Sequence, residues 1–333
     1  MKKTPSRKAP RRPRGLQQAP TVSLGANETW VLTEVEPEKK HFRRHVDILA
    51  GPGSSEPVAR LPVTIYAGTR YVAEITTPET DHADPEDPLR PSRGTERRLT
   101  LGVTTREDYK RRAKQRDKVQ LAFNDFTRKR NLLVDIESPE ERFVAFDIMF
   151  DPTYELAPNT HYVLHFQGLQ VGMVKSVLED SGQPPFSIRV QGTTPDQPDP
   201  MAPIELRFER RWFNGRGEVE EEVLADRIPP HERGRWYRFV LRLLPGYDRG
   251  AITCWHWDLE TAYDRCDAPV NDWSVPWGYK PVASGDPKVD FKRRTIQYAV
   301  GIYRRSSEST QRLHLRNIRF GTTYDEVNPG PPC

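Results

Sequence analysis

Long apolar runs are absent from this chain of 333 residues, only 35% of which are hydrophobic. No stretch reaches the length that a membrane-spanning helix needs. The opening MKKTPSRKAPRRPRG contains no acid and no apolar core of a secretory signal. The expectation is a protein that works inside the cell, or one delivered without a cleaved signal, as on a phage particle or through an injection apparatus. Cysteine is scarce as well: Cys254, Cys266 and Cys333 have no metal-ligand spacing and are odd in number. A bridge between Cys254 and Cys266 stays open for an oxidising compartment, with thiols the alternative elsewhere. There is no glycine-rich phosphate loop and no solenoid-type repeat. No cofactor and no metal is expected.

Proline is abundant, with 31 residues, and turn-rich composition of this kind points to a loop-heavy β protein. The length allows one sandwich with additions or two domains. Residues 1–20 read as a flexible basic arm and 21–124 as accessory or outer strands with a loop insertion. Residues 125–333 read as the main sandwich. Within the middle region TWVLTEV, HVDILA, LPVTIYAG and RYVAEIT are strand-like runs between Pro, Gly and Ser turns. Arg106 to Arg130 is the one helical stretch expected, a surface helix whose end is docked by Val119, Leu121, Phe123 and Phe126.

From Phe143 onward, apolar and polar residues alternate in strand after strand. Val144, Phe146, Ile148 and Phe150 form one such set, and Tyr237, Phe239, Leu241 and Leu243 another, interleaved with Trp236, Arg238, Val240 and Arg242. A period of two puts one face of each strand in a core and wets the other. No βαβ alternation is visible, so the fold class expected is all-β, an antiparallel two-sheet jelly-roll sandwich with a basic N-terminal arm and one short surface helix.

The C-terminal elements run in a fixed order: WYRFVLRLL, a Pro-Gly turn, ITCWHWD, a long loop, a strand carrying GIYR, and the closing RLHLRNIRFG. This succession resembles the C-terminal half of the heparin lyase-like polysaccharide lyases, relatives of the alginate and glucuronan lyases, which are concanavalin-like β-jelly rolls. Upstream, RFVAFDIMFDPTYELAPN, YVLHFQ and PPFSIRV resemble the family's inner strands in the same order. The resemblance covers roughly residues 125–327. It implies an acidic-polysaccharide protein that breaks uronic-acid chains by β-elimination. One group then neutralises the carboxylate, a base takes the C5 proton and an acid protonates the leaving oxygen.

In the family those tasks fall to an Arg in an R-x-E-like strand, a Gln-x-His pair and a Tyr-x-Lys-x-Gly-x-Tyr strand. Here the corresponding arginine is Arg130, with Leu132 in place of the acidic neighbour. The pair reads His165-Phe166-Gln167, the same side chains in reversed order, and strict alternation would place His161, Val163, His165 and Gln167 on the groove side. Aligned on Gly301, Gln297 stands where the family has tyrosine and Ala299 where it has lysine, which leaves Tyr303 on that face. A glutamine cannot act as a general acid. His165, Tyr303 and Arg130 are therefore the candidate catalytic residues, with a hydrogen-bonded groove histidine and a packing or sugar-stacking tyrosine as the plainer alternatives.

Gln167, Gln297, Trp273, Trp277 and Arg304 are the candidate substrate contacts, the two tryptophans because exposed aromatics offer flat faces to pyranose rings. Of the cluster Trp255, His256, Trp257 and Asp258, one pair should face the core, and a lone His-Asp pair is too sparse for a closed metal site. The partner expected is an acidic polysaccharide, bound with slow elimination or none. The rival class is a non-enzymatic structural or assembly subunit tied to a larger particle through residues 1–14. An active, diverged lyase using His165 and Tyr303 is the third reading. Nucleic acid is disfavoured because no helix-turn-helix, zinc finger or aromatic single-strand motif accompanies the basic segments.

Overall fold

The computed structural model describes residues 22–24, 30–34, 41–49, 57–66, 71–76, 98–103, 116–123, 134–158, 163–170, 184–213, 219–224, 227–260, 269–281, 283, 285–305, 307 and 309–328. The basic arm, Arg130, Cys266 and Cys333 lie outside them. In chain order the strands are β1 (Val22–Leu24), β2 (Trp30–Glu34), β3 (His41–Leu49), β4 (Pro57–Tyr66), β5 (Tyr71–Thr76) and β6 (Arg98–Val103). Next come β7 (Arg116–Ala122), β8 (Val134–Asp135), β9 (Arg142–Phe150), β10 (Val163–Gln170), β11 (Phe186–Val190) and β12 (Leu206–Phe213). The remainder are β13 (Val219–Leu224), β14 (Trp236–Leu244), β15 (Ala251–Asp258), β16 (Asn271–Trp273), β17 (Thr295–Arg305) and β18 (Gln311–Gly321). Two short helices, α1 (Pro287–Arg294) and α2 (Tyr324–Val327), complete the description.

The strands form an antiparallel jelly-roll sandwich. One sheet has eight strands, ordered β16-β15-β14-β9-β18-β6-β5 with β1 also on β18. The other has ten, ordered β13-β12-β11-β10-β17-β7-β4-β3-β2 with β8 also on β17. Alternation explains how they face each other. Tyr237, Phe239, Leu241 and Leu243 of β14 point inward with Val144, Phe146, Ile148 and Phe150 of β9. From the opposite sheet they meet Phe166, Ile188, Phe208, Tyr298, Val300 and Ile302. Phe146 links the layers, its ring 5.4 Å from Phe239 and 5.8 Å from Phe166. Each such side chain contributes about 1.5–3 kcal/mol by leaving water. Cys254, a thiol, is buried in the same core.

The helix expected over Arg106 to Arg130 is corrected by β7, since Arg116–Ala122 is a strand between β4 and β17. Basic residues there do not define a helical face. They alternate: Val119 and Leu121 enter the core, while Lys118 and Gln120 share the opposite side. Pairing on both edges then satisfies the backbone groups that a helix would have bonded internally. The longer helix described is α1, begun by Pro287 and by the Asp286 carboxylate accepting from the Lys288 amide at 2.8 Å.

Candidate functional site

The outward face of the ten-stranded sheet carries a band of polar groups that a ligand could use. Its register aligns one row across six strands: Ala122, Ala299, Gln167, Ser187, Glu209 and Val223. A second row runs Lys118, Tyr303, Leu164, Arg189 and Arg207. Between them lies the pair Gln120 and Gly301. Lys118, Gln120, Ser187, Arg189, Arg207 and Glu209 alternate with core residues, so the sheet itself delivers these side chains to one side.

Gln167 and Gln120 meet over the intervening strand β17, Nε2 of the former donating to Oε1 of the latter at 2.7 Å. They can do so because β17 presents only Ala299 and Gly301 beneath them. Gly301 has φ +137, and a Cβ there would stand 2.4 Å from the Val119 carbonyl oxygen and 2.8 Å from the Gln120 Cα. Glycine is therefore required both by conformation and by space. A lysine at position 299 would compete for the volume that the glutamine bridge occupies.

Farther along, Glu209 is 1% exposed and lies between two guanidinium groups. Arg189 Nη1 approaches its Oε1 at 2.9 Å and Arg211 Nη2 its Oε2 at 2.9 Å. Arg211 also bonds Glu221 at 2.9 Å. Buried charges of this kind persist only when paired and hydrogen-bonded. Even so, the network is incomplete. Among the described residues, the side-chain nitrogen of Gln120, the hydroxyl of Ser187 and the Nε of Arg189 are buried without hydrogen-bond partners. Exchanging the nitrogen and oxygen of the Gln120 amide would move the deficit without removing it.

Tyr303 is 6% exposed, and the Lys118 ammonium lies 5.4 Å from its ring centroid. Burial pushes the Lys118 ammonium down to about 8. It therefore stays mostly cationic near neutrality and is suited to facing an anion. Lys118, Gln120, Ser187, Arg189, Glu209 and Arg211 were all missed as site residues by sequence reasoning. The alternation of Lys118 and Gln120 with Val119 and Leu121 was the available signal, masked by the density of charge.

The expected site residues separate in the structure. Gln167 and Tyr303 do share the outward face, both buried, and Gln297 is a half-buried residue farther along β17, opposite Leu169. His165 falls at an irregularity: the register slips between Leu164 and Phe166 against both β11 and β17. Strict alternation does not carry across a bulge, so alternation does not assign His165 to the face of Gln167. The His165 side chain and Arg130 lie outside the described residues.

Three substrate contacts need correction. Trp277 is fully buried, packs on Phe186 with centroids 5.8 Å apart and donates Nε1–H to the Ala251 carbonyl at 3.3 Å. It has no face to offer a sugar. Trp273 belongs to β16 rather than to a loop and is half-buried against Phe208, 5.3 Å between centroids. Arg304 is fully buried, paired with Asp117 at 3.4 Å and with the Ser309 carbonyl. Its register partner is Asp117 on the core side of β7, which is why it cannot face a carbohydrate.

The opposite sheet's outward face is built differently. Asp147 is fully buried and accepts from Arg238 Nε at 2.6 Å, Arg316 Nε at 3.2 Å and Asn317 Nδ2 at 2.8 Å. His314 bridges the Thr100 hydroxyl at 2.8 Å and the Asp151 carboxylate at 3.0 Å. Burial would raise the Asp151 carboxyl, but the bonds from His314 and Thr153 outweigh it and hold the group well below the usual range. Of the WHWD cluster, Trp257 packs outward beneath Val327 of α2. His256 faces inward, its Nε2 3.0 Å from that of His231, and burial pushes it down to about 4. Among the described residues no group of three or more His, Cys, Asp and Glu could hold a metal ion.

No protein-family model matches the chain, and no curated protein does. Solved structures are similar in fold. A marine PL7 alginate lyase from Zobellia galactanivorans is 8% identical with a TM-score of 0.40, covering 69% of this chain and 79% of its own. The alginate lyase from Klebsiella pneumoniae is 9% identical with a TM-score of 0.39, covering 68% of this chain and 82% of its own. The catalytic domain of a glycoside hydrolase family 131 protein from Coprinopsis cinerea is 11% identical with a TM-score of 0.36, covering 71% and 75%. Likeness at this level leaves the chemistry to this chain's own residues.

Proposed function

We propose that this protein binds an acidic polysaccharide along the outward face of its ten-stranded sheet, on a lyase-like jelly roll whose elimination chemistry is slow or lost. The observation that carries this reading is the buried polar row with unpartnered donors at Gln120, Ser187 and Arg189. A buried donor without a partner costs about 1–3 kcal/mol. Such groups persist where a water, an ion or a ligand completes the network, and here three of them fall together on one face. Lys118, Arg189, Arg207 and Arg211 exceed Glu205, Glu209 and Glu221 by one on this face, a balance that favours carboxylate-bearing chains over neutral ones.

Elimination needs more than binding. Lys118 can neutralise a uronate carboxylate, and the Tyr303 hydroxyl can hold or deliver a proton. With Gln297 and Ala299 at the family's tyrosine and lysine positions, a second proton-transfer group is missing from β17. Losing such groups removes transition-state stabilisation of several kcal/mol.

Affinity electrophoresis through polyuronate, glycosaminoglycan and neutral glucan gels tests the binding, and ultraviolet absorbance of unsaturated uronate ends tests the cleavage. The expected result is salt-sensitive retardation by acidic chains alone, with little absorbance gained. Free migration through every acidic gel would overturn the reading. Vigorous cleavage that His165→Ala abolishes would show instead that the reversed His-x-Gln pair is an active base.

A further inference from the structure

A cavity of about 450 Å³ opens where β12 begins and β13 ends, lined by Gln191, Glu205, Leu206, Arg207, Val223, Leu224, Ile228 and Pro230. Its position follows from the register. Arg207 ends the row Tyr303, Leu164, Arg189 and Arg207. Three strand steps separate Tyr303 from Arg207, or about 14 Å at ~4.8 Å per step, a span of about three sugar residues.

The lining is mixed in the manner of a pyranose site. Val223, 48% exposed, joins Ile228 and Pro230 as the apolar wall. The Arg207 Nε donates to Gln191 Oε1 at 2.9 Å. Among the described residues that is the guanidinium's one partner, which fixes its plane and leaves both terminal nitrogens for a carboxylate fork. Glu205 would repel a second carboxylate and accept hydroxyls instead. The charge order therefore selects how a uronic acid sits, carboxylate toward Arg207 and ring hydroxyls toward Glu205.

We propose that this cavity is a terminal subsite for one uronic-acid unit about three residues from Tyr303, so that the protein senses chain length as well as charge. The proposal rests on the acidic-polysaccharide reading. Calorimetric titration with oligouronates prepared from alginate, from dimer to hexamer, tests it. Affinity should climb about tenfold between trimer and pentamer and level off beyond. Arg207→Gln should cut that climb to less than threefold. Val223→Glu, at an exposed position that leaves the core untouched, should do the same by placing a like charge at the cavity mouth. A climb unchanged in both variants, or no climb in the wild type, overturns the subsite and leaves the parent reading standing. Failure of every oligomer to bind overturns both.

Discussion

The two outward faces of this sandwich solve the same problem in opposite ways. On the eight-stranded sheet the central polar groups answer one another: Asp147 accepts from three residues, Arg238, Arg316 and Asn317, and His314 is held between Thr100 and Asp151. α2 covers the apolar remainder around Phe143, Val240 and Trp257. On the ten-stranded sheet Glu209 is enclosed by arginines, yet Gln120, Ser187 and Arg189 keep donors without acceptors. Closed networks rigidify a fold. The contrast is one between the centres of the two sheets, since Arg142 Nε, Asn271 Nδ2 and Gln311 Oε1, on strands of the eight-stranded sheet, are also buried without hydrogen-bond partners among the described residues.

Removing the acid at the centre of each network should break the comparison most strongly. Asp147→Ala leaves Arg238 and Arg316 without their counter-charge, and urea unfolding should show a loss of about 3–5 kcal/mol. Added polyuronate should not restore it. Glu209→Ala should lose a similar amount in the free protein, but saturating polyuronate should recover part of it, because the ligand supplies carboxylates to Arg189 and Arg211. Equal behaviour of the two variants with ligand would erase the distinction.

Smaller effects should carry opposite signs on the two faces. Ser187→Ala removes a buried hydroxyl with nothing to bond, so the free protein should gain about 1 kcal/mol while polyuronate affinity falls. Thr100→Val breaks the bond to His314 and should lose about 1 kcal/mol with affinity unchanged. Thermal melts with and without polyuronate separate the four outcomes. Matching signs would mean that Ser187 is an ordinary packing residue.

The smallest effect concerns pH. The Lys118 charge is present below about 8 and is lost as pH rises through it. Polyuronate affinity should therefore drop severalfold between pH 7 and pH 9, approximately the range that brackets this group. Its sign for stability is the reverse: the unfolded chain keeps its proton to higher pH, so this residue's penalty on the fold is relieved as pH rises. Lys118→Met should flatten the binding profile. A drop that persists in that variant would assign the titration to another group.

Much of the sandwich was legible in the chain because alternation is local. β9, β14 and β18 each encode which side is buried, and TWVLTEV, HVDILA, LPVTIYAG and RYVAEIT correspond to strands β2 to β5. The site was far less legible. Trp277 and Arg304 look like surface residues by type, yet long-range packing against Phe186 and Asp117 buries them. The Arg116–Ala122 strand was hidden by its charges, since a polar run has no period until its partners are known.

The sequence by itself determined an all-β antiparallel chain with one apolar face per strand, because a pleated backbone points successive side chains to opposite sides. Only the tertiary structure decided which polar residues share a surface. Gln120 and Gln167 are 47 residues apart and meet because both flank a strand whose Ala299 and Gly301 leave room between them. The break in register at His165 was likewise beyond local reading. A bulge arises from how neighbouring strands match in length, and no single strand carries that information.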